Sequence, residues 1–271
     1  MSAAHGDYAL GRTQQEYARL ARQSALVEPM TRRTFADAGI VPGMRVLDLG
    51  SGAGDVCMLL AGMVGPSGSV IGLDLDANAI AHARERVAAA GLRNVSFVNS
   101  DVSHFAPAEP IDAIVGRFIL MYQPDPSATL AALAKHLRPG GIVAFLEPSF
   151  AAMPSSDTVL GRVGYCIIET LRRTGAHLDL GLRLHNVFTK AGLPLPRMRF
   201  EAVMDGAPDS HIHQYITDTY ASLLPKAIEL GVPTAEGLAP LDEIPHRISL
   251  DLDALGYAAF VCPMVCAWCK T

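Results

Sequence analysis

The chain has 271 residues, of which 50% are hydrophobic and 18% are charged. This composition excludes an intrinsically disordered segment, and the length suits one large domain or one domain with a sizeable insertion. The net charge is −5 and lysine and arginine do not form runs, so the sequence gives little electrostatic support for nucleic acid as a partner.

The predicted elements begin with a helix within residues 8–38, where apolar side chains recur at intervals of three and four. Strands and helices then alternate. The predicted strands lie at 45–49, 69–73, 95–99, 112–116 and 142–147. The helices between them lie at 55–64, 77–90 and 126–137. This alternation predicts a parallel sheet with helices on both faces, in which ligands bind beyond the carboxyl ends of the strands.

The pattern changes after Glu147, where helices follow one another with few strands between them. Helical spacing is found at 156–174, 181–191 and 209–230, and strand candidates are found at 198–203 and 257–266. This part of the chain is therefore predicted to differ in organisation from the alternating part before it.

The most specific motif is V-L-D-L-G-S-G-A-G at residues 46–54. It predicts a buried strand followed by a turn with alternating glycines at Gly50, Gly52 and Gly54. Glycine at such positions lets a ligand lie against bare backbone. The third glycine comes one residue earlier than in a dinucleotide-binding turn, and the lysine of a phosphate loop is missing. A glycine turn of this kind, with an aspartate before it, suits a nucleoside that has positive charge.

This motif resembles the first motif of the class I S-adenosylmethionine-dependent methyltransferases, whose cofactor has a sulfonium and an ammonium group. Further motifs follow in the family's order: apolar runs that end at Asp74 and Asp101, the run 111–117 and the turn 137–141. The resemblance covers residues 40–150 closely and includes the ubiquinone-biosynthesis-type branch, which acts on small molecules. It implies S-adenosylmethionine as the cofactor. It also implies an α/β, Rossmann-like fold with a seven-stranded, mostly parallel sheet, helices on both faces and an inserted helical cap.

The same resemblance implies how the chain is divided. We expect an N-terminal helical lid at 1–38 and an S-adenosylmethionine-binding core at 39–150. A helical cap and substrate region is expected at 151–250, interrupted by strand 198–203, and a C-terminal strand that completes the sheet is expected at 251–271. The family's sheet commonly ends in an antiparallel hairpin. We assign that hairpin to 198–203 and 257–266.

Asp74 ends the second predicted strand, where a carboxylate can accept hydrogen bonds from both hydroxyls of a ribose. The alternative role is to cap the helix predicted from residue 77. Asp76 is better placed for that cap, so we assign Asp74 to the ribose. The side chain of Leu75 is expected to pack on one face of the adenine.

Asp101 follows the third predicted strand, and two roles are considered for it. The resemblance favours a hydrogen bond from the adenine amino group to Asp101, with the Val102 amide meeting a ring nitrogen. The alternative is a turn aspartate that bonds its own backbone. Asp48 is expected to organise the glycine turn, or to reach the methionine ammonium through a water, rather than to bind the cofactor directly.

The remaining cofactor contacts are also implied by the resemblance. Ser51 lies between Gly50 and Gly52 in the turn that would receive the cofactor. The backbone carbonyl of Arg117, or of the residue before it, would accept a hydrogen bond from the methionine ammonium. Gln23 in the lid is a candidate for the methionine carboxylate, and a solvated helix face is the equally weighted alternative.

Candidate contacts to an acceptor molecule come from several segments. They are Tyr8, Tyr122, Tyr165, His213 and Tyr215. Relatives often have a histidine at 121 or 122, from which Met121 and Tyr122 depart, so no catalytic residue is assigned. Tyr122 is weighed equally as a wall residue.

The resemblance implies transfer of a methyl group from S-adenosylmethionine to a small-molecule acceptor, a cyclic or polyketide-like metabolite. Such chemistry depends on alignment of donor and acceptor, and a general base is needed only for an acceptor that arrives protonated. One alternative is an enzyme that uses the cofactor as a scaffold for cyclisation or decarboxylation. The other is a non-catalytic binding protein, against which the intact glycines and Asp74 argue.

The five cysteines do not predict a metal site. Cys266 and Cys269 have C-x-x-C spacing, but no second pair accompanies them. We interpret them as small apolar residues of a final buried strand.

The localisation expected from the sequence is cytoplasmic. Residues 1–7 lack the basic start and the apolar stretch of a signal peptide. No apolar run is long enough to cross a bilayer, so no membrane partner is expected. Nothing in the sequence indicates an oligomeric state.

Overall fold

The computed structural model describes residues 14–150, 158–235 and 237–271. The chain divides into two compact units. The unit that we call the sheet unit comprises residues 27–147, 180–201 and 264–271. The second, here called the helical unit, comprises the described residues within 1–26, 148–179 and 202–263.

The elements follow one another in an order close to the predicted one. The strands are β1 (Arg45–Leu49), β2 (Ser69–Asp74), β3 (Val95–Asn99), β4 (Ile111–Arg117), β5 (Leu137–Pro148), β6 (Arg197–Glu201), β7 (Met204–Asp205), β8 (Ala259–Phe260) and β9 (Met264–Lys270). The helices are α1 (Gln14–Ala38), α2 (Asp55–Val64), α3 (Ala77–Ala89), α4 (Pro126–Ala134), α5 (Val159–Arg173), α6 (Leu180–Lys190), α7 (His211–Glu229) and α8 (Ile244–Leu255). Short 3-10 helices lie at Val102–His104 and Leu120–Tyr122.

The sheet unit contains a seven-stranded sheet with the order β3-β2-β1-β4-β5-β9-β6. Strands β1 to β5 pair in parallel, and β6 pairs with β9 antiparallel. This confirms the predicted fold class of a Rossmann-like, mostly parallel sheet flanked by helices. The strand order reverses between β1 and β4, and ligands of open parallel sheets bind at such a reversal.

The core of the sheet unit is formed by strands that are apolar on both faces. Leu47 of β1, Ile114 of β4 and Phe145 of β5 are fully buried, as expected for parallel strands covered on both sides. At the start of α3, the Asp76 carboxylate accepts hydrogen bonds from the amides of Asn78 and Ala79. The cap assigned to Asp76 from the sequence is therefore confirmed.

In the helical unit, α5, α7 and α8 pack on one another. The Asp251 carboxylate of α8 accepts a hydrogen bond of 2.9 Å from the Leu160 amide at the start of α5. The buried Tyr220 of α7 accepts a hydrogen bond of 2.9 Å from the Ala235 amide. These contacts between distant segments fix the helices against each other.

The C-terminal part of the chain differs from its prediction in where the strand lies. The antiparallel hairpin is present, but its strands are Arg197–Glu201 and Met264–Lys270 rather than 198–203 and 257–266. Proline has no amide hydrogen to donate to a ladder, so the last strand begins only after Pro263. Residues Ala259–Phe260 pair instead with Met204–Asp205 in a small second sheet.

Helix α8 was not predicted, and it includes residues 251–255 of the region assigned to a C-terminal strand. Its buried residues Ile244, Ile248 and Leu252 recur at intervals of four. The left-handed Gly256 ends the helix. This spacing is visible in the sequence and was missed.

The predicted division into lid, core, cap and C-terminal strand stays a prediction. Helix α6 and strand β6, which lie within the region predicted as the cap, belong to the sheet unit. Among the residues described, no helix is both long and apolar enough to cross a membrane.

Candidate functional site

The carboxyl ends of the central parallel strands bring the predicted cofactor residues to one edge of the sheet. Leu49 of β1 lies opposite Leu73 of β2 and opposite Gly116 of β4. Asp74 of β2 lies opposite Asn99 of β3. The glycine turn, Asp74, Asp101 and Arg117 therefore share this edge, as predicted from the alternation of strands and helices.

The glycine turn after β1 is held by β2, and its glycines serve different purposes. The amides of Gly50 and Ser51 both donate to the Leu73 carbonyl, at 2.8 and 3.1 Å. A Cβ at Gly50 would lie 2.5 Å from Ile119 Cδ1, so Gly50 is required by packing. A Cβ at Gly52 would meet no atom of the described chain within 4 Å, and φ is +49°. Gly52 thus presents bare backbone to open space, where a ligand can approach it.

Ser51, in the same turn, has a side chain without a hydrogen-bond partner among the residues described. Its hydroxyl oxygen is buried and has no hydrogen-bond partner in the described chain. A buried polar atom without a partner costs free energy, and such atoms are rare in native proteins. A ligand with a polar group at this turn would satisfy the hydroxyl.

Asp74 is fixed at the sheet edge by two backbone amides. Its carboxylate accepts hydrogen bonds from Gly52 at 2.7 Å and from Asp76 at 2.9 Å. A carboxylate offers about four acceptor positions, so about two remain for a ligand. The neighbouring Leu75 is 54% exposed, and an exposed leucine beside an oriented carboxylate suits a flat ligand with an apolar face and hydroxyl groups. The ribose and adenine assignments fit this arrangement and stay predictions.

Asp101 forms the local hydrogen bonds expected of a turn aspartate, which was the alternative role considered for it. One carboxylate oxygen accepts hydrogen bonds from the Ser103 amide at 2.7 Å and from the Ser103 hydroxyl at 2.5 Å. These bonds start the 3-10 helix in which Val102 is the first residue. They orient Asp101 and are compatible with a further bond to adenine, which stays a prediction.

Asp48 is buried beside the turn and is bonded to helix α2 rather than to the turn amides. Its carboxyl group lies 3.1 Å from the Cys57 thiol, which donates to it. Burial raises the pKa of Asp48 from 3.8 to about 7, and the hydrogen bond from Cys57 and the charge of Arg117 oppose the rise. The Arg117 guanidinium also donates to the Thr31 hydroxyl at 3.1 Å. The side chain of Arg117 is half-buried and is tied to α1 by this bond.

Glu147 was not singled out from the sequence, yet it is fully buried near the end of β5. Its two carboxylate oxygens accept hydrogen bonds from the amides of Ile119, Leu120 and Met121. Burial raises the pKa of Glu147 to about 7, and these three amides oppose the rise. A glutamate that follows the apolar run 142–146 was the available signal for a buried, bonded carboxylate.

The predicted acceptor contacts lie in different parts of the chain. Tyr122 is half-buried in the sheet unit, at the end of the 3-10 helix that follows β4. In the helical unit, Tyr165 of α5 is 49% exposed, whereas His213 of α7 is buried and Tyr215 is half-buried. Burial lowers the pKa of His213, and the charge of Asp205 opposes that change. Tyr8 lies outside the described residues.

Gln23, predicted to bind the methionine carboxylate, lies in the helical unit within a bonded network of α1. Its side-chain oxygen accepts a hydrogen bond of 2.7 Å from Arg19. Arg19 also forms a buried ion pair with Glu16, which accepts from the Ser222 hydroxyl at 2.6 Å. The proposed role of Gln23 stays a prediction.

The side chains of the C-terminal cysteines Cys266 and Cys269 do not face a common point. Cys266 and Cys269 are three residues apart in β9, and side chains three apart on a strand point to opposite faces. In the ranges that the structure describes, no three His, Cys, Asp or Glu side chains are grouped as a metal site would need.

Comparisons with known proteins agree with this geometry. The sequence profile of a family described as "Methyltransferase domain" matches residues 40–192. The chain is 40% identical over 113 residues to arsenite methyltransferase of Halobacterium salinarum. The aligned segment covers 41% of this chain and 29% of that protein. It is 37% identical over 125 residues to the aklanonic acid methyltransferase DauC of a Streptomyces species. This aligned segment covers 46% of this chain and 57% of that protein. A crystal structure of an S-adenosylmethionine-dependent methyltransferase from Aquifex aeolicus has the same fold, with a TM-score of 0.53 and 20% identity over 71% of this chain and 92% of that one.

These comparisons cover different shares of the proteins compared. The chain matches only 29 and 57% of the lengths of the two curated relatives, whereas the family profile spans more than half of the chain itself. The predicted enzyme class and its cofactor, S-adenosylmethionine, are confirmed at the level of the family. The chain belongs to the methyltransferase domain family, among the class I S-adenosylmethionine-dependent methyltransferases that its motifs resemble.

Proposed function

We propose that this chain transfers the methyl group of S-adenosylmethionine to a flat, mainly apolar small molecule of cyclic or polyketide-like structure. The single observation that most supports the donor half is the buried Ser51 hydroxyl without a partner, next to the open face of Gly52. When bound, S-adenosylmethionine supplies a methyl group already activated by its sulfonium charge. The chain's own residues then have to bind, orient and exclude water.

Each part of the cofactor has a candidate partner at the sheet edge. We assign the ribose hydroxyls to the Asp74 carboxylate, because the amides of Gly52 and Asp76 already orient it. The adenine is assigned to Leu75, Asp101 and Val102. The methionine end is assigned to the turn at Ser51, with Gln23 as the candidate for its carboxylate. The backbone carbonyl of Arg117 is assigned to its ammonium.

We assign no general base, because the two buried carboxyl groups of the sheet unit are already hydrogen-bonded within the protein. Asp48 is engaged by the Cys57 thiol, and Glu147 is engaged by three backbone amides. A base must be within hydrogen-bond reach of the proton that it removes. Both groups face protein donors instead, so the proposed transfer relies on alignment.

The acceptor class is proposed from the aromatic rings of the candidate contacts, which suit a flat molecule, and from the names of the relatives. Two relatives are named as an aklanonic acid methyltransferase and a demethylmenaquinone methyltransferase. For the acceptor we assign Tyr122 in the sheet unit and Tyr165, His213 and Tyr215 in the helical unit. Tyr220 lies in the same helix as Tyr215, but it is 2% exposed and accepts a hydrogen bond from the Ala235 amide, so we place it in the core.

The donor half is tested by calorimetry with S-adenosylmethionine, S-adenosylhomocysteine and NAD. We expect binding of the first two and no response to NAD. Turnover is tested by S-adenosylhomocysteine formation with aklanonic acid, demethylmenaquinone, trans-aconitate and arsenite as separate acceptors. Tight NAD binding without a response to S-adenosylmethionine would contradict the proposal.

The same assay separates methyl transfer from the alternatives. Methyl transfer produces one S-adenosylhomocysteine for each product molecule. A scaffold enzyme would convert substrate while S-adenosylmethionine stays intact, and a non-catalytic protein would bind the cofactor and convert nothing. Either result would replace the proposed function.

The acceptor contacts are tested by Tyr165→Ala and Tyr215→Ala. We expect acceptor turnover to fall and S-adenosylmethionine affinity to stay unchanged. Tyr257→Ala is the matched control, since Tyr257 is 64% exposed in the same unit and has no assigned role. Equal effects on cofactor affinity and turnover would contradict the assignment, and no effect on either would place these tyrosines outside the site.

A further inference from the structure

The segment that follows β4 is held by one buried side chain. Glu147 Oε1 accepts hydrogen bonds from Ile119 at 3.1 Å and Leu120 at 2.8 Å, and Oε2 accepts one from Met121 at 3.3 Å. These residues are 26–28 positions away in the sequence. Three consecutive amides inside a protein need an acceptor with several lone pairs, and a buried carboxylate provides it.

The held segment begins with an unusual backbone conformation. Phe118 has a φ of +57°, and it is the one non-glycine residue with a positive φ in the described ranges. Its amide still donates to the Leu146 carbonyl at 3.0 Å. A left-handed phenylalanine costs free energy and persists only where its surroundings fix it. The three bonds to Glu147, which begin at the next residue, fix it here.

The same segment contacts the glycine turn. Ile119 fills the space over two glycines, because a Cβ at Gly50 would lie 2.5 Å from its Cδ1 and a Cβ at Gly116 would lie 2.8 Å from its Cγ2. Tyr122 ends the 3-10 helix that these residues begin. A displacement of residues 119–121 would therefore move the packing against the turn and the candidate acceptor contact together.

We propose that Glu147 is a positioning residue for methyl transfer. By holding residues 118–122, it fixes the Arg117 backbone, the contact of Ile119 with the glycine turn, and Tyr122. These three features then align the donor with the acceptor. The proposal rests on the proposed function. It follows from the contacts that Glu147 touches neither ligand and acts through the segment that it holds. Misplacement of aligned groups by about 1 Å can cost about 100-fold in rate.

The test compares Glu147→Gln, Glu147→Asp and the control Val143→Ala. Glutamine offers one oxygen and places an amide group where the second oxygen accepts. Aspartate keeps the charge but is one methylene shorter. Val143 is buried in the same strand and pairs with Ile114 of β4. For each protein we measure stability in urea, S-adenosylmethionine affinity by calorimetry, and kcat and KM for donor and acceptor.

We expect Glu147→Gln to fold and to lose about 10-fold to 100-fold in kcat, with a smaller change in donor KM. Glu147→Asp is expected to retain more activity than Glu147→Gln. Val143→Ala is expected to keep kcat within about two-fold of the wild type, at a loss of stability similar to that of Glu147→Gln. Unchanged kcat and KM in Glu147→Gln would overturn the proposal, as would an equal loss of kcat in Val143→Ala.

Failure of the proposed function gives a different result. It is seen as wild-type protein that forms no S-adenosylhomocysteine with any acceptor. In that case we compare the affinity of the wild type and of Glu147→Gln for S-adenosylhomocysteine. Weaker binding by the variant supports the role of Glu147. Equal binding by both proteins, or no binding by the wild type, overturns that role.

Discussion

Removal of the Asp74 carboxylate by Asp74→Ala is the sharpest test of the cofactor site. In the structure this group is held by the amides of Gly52 and Asp76 at 2.7 and 2.9 Å. It is proposed to accept hydrogen bonds from both ribose hydroxyls. The substitution therefore removes the ligand's partner and also releases the turn that surrounds it.

The magnitude follows from the number and type of bonds. A hydrogen bond to a charged group contributes about 1.5–3 kcal/mol, and Asp74 is half-buried, so the loss in binding free energy should be about 2–4 kcal/mol. This corresponds to a rise in Kd of about 30-fold to 800-fold. Fold stability should fall by about 1–2 kcal/mol, because water can reach the two released amides. Calorimetry with S-adenosylhomocysteine measures the first effect, and urea unfolding measures the second.

Asp76→Ala is the matched control, since it removes a neighbouring carboxylate of the same charge. Asp76 caps α3, and the loss of such a cap costs about 1 kcal/mol of stability. Its Kd should stay within about two-fold of the wild type, because its carboxylate accepts hydrogen bonds from the amides of Asn78 and Ala79 at the start of α3. If Asp74→Ala binds as tightly as Asp76→Ala, the ribose assignment is wrong and Asp74 serves only to hold the turn.

Four further outcomes are expected. Gly52→Ala should weaken cofactor binding at least ten-fold and cost only about 1 kcal/mol of stability, since its Cβ meets open space; unchanged affinity by calorimetry would contradict this. Gly50→Ala should cost about 3 kcal/mol in urea unfolding, because its Cβ overlaps Ile119. Tyr220→Phe should cost about 1–2 kcal/mol, as a buried amide loses its acceptor, with cofactor affinity unchanged. Burial raises the pKa of Asp48 to about 7, so its contribution to stability is complete below about pH 4 and is lost as the pH rises through 7. Asp48→Asn should remove that part of the slope in urea titrations at pH 5 and 7.

Local sequence patterns were sufficient to predict the elements around the candidate cofactor site. Strands β1 and β3 and helix α2 have the predicted bounds. The choice of Asp76 over Asp74 as the helix cap was also correct. These features depend on neighbours within a few residues: apolar runs make buried strands, glycines permit the turn, and an aspartate one position before a helix caps it.

Contacts between segments that are far apart in the sequence became visible only in the folded chain. Glu147 and the amides that it holds are 26–28 residues apart, so no local pattern indicates the contact. The left-handed Phe118 also has no sequence signature, because phenylalanine avoids that conformation unless its surroundings fix it. The position of β9 was set by Pro263, which cannot donate to a ladder, and by its pairing with β6 more than 60 residues earlier. Long-range pairing of buried polar groups is a property of the packed chain, and sequence periodicity does not contain it.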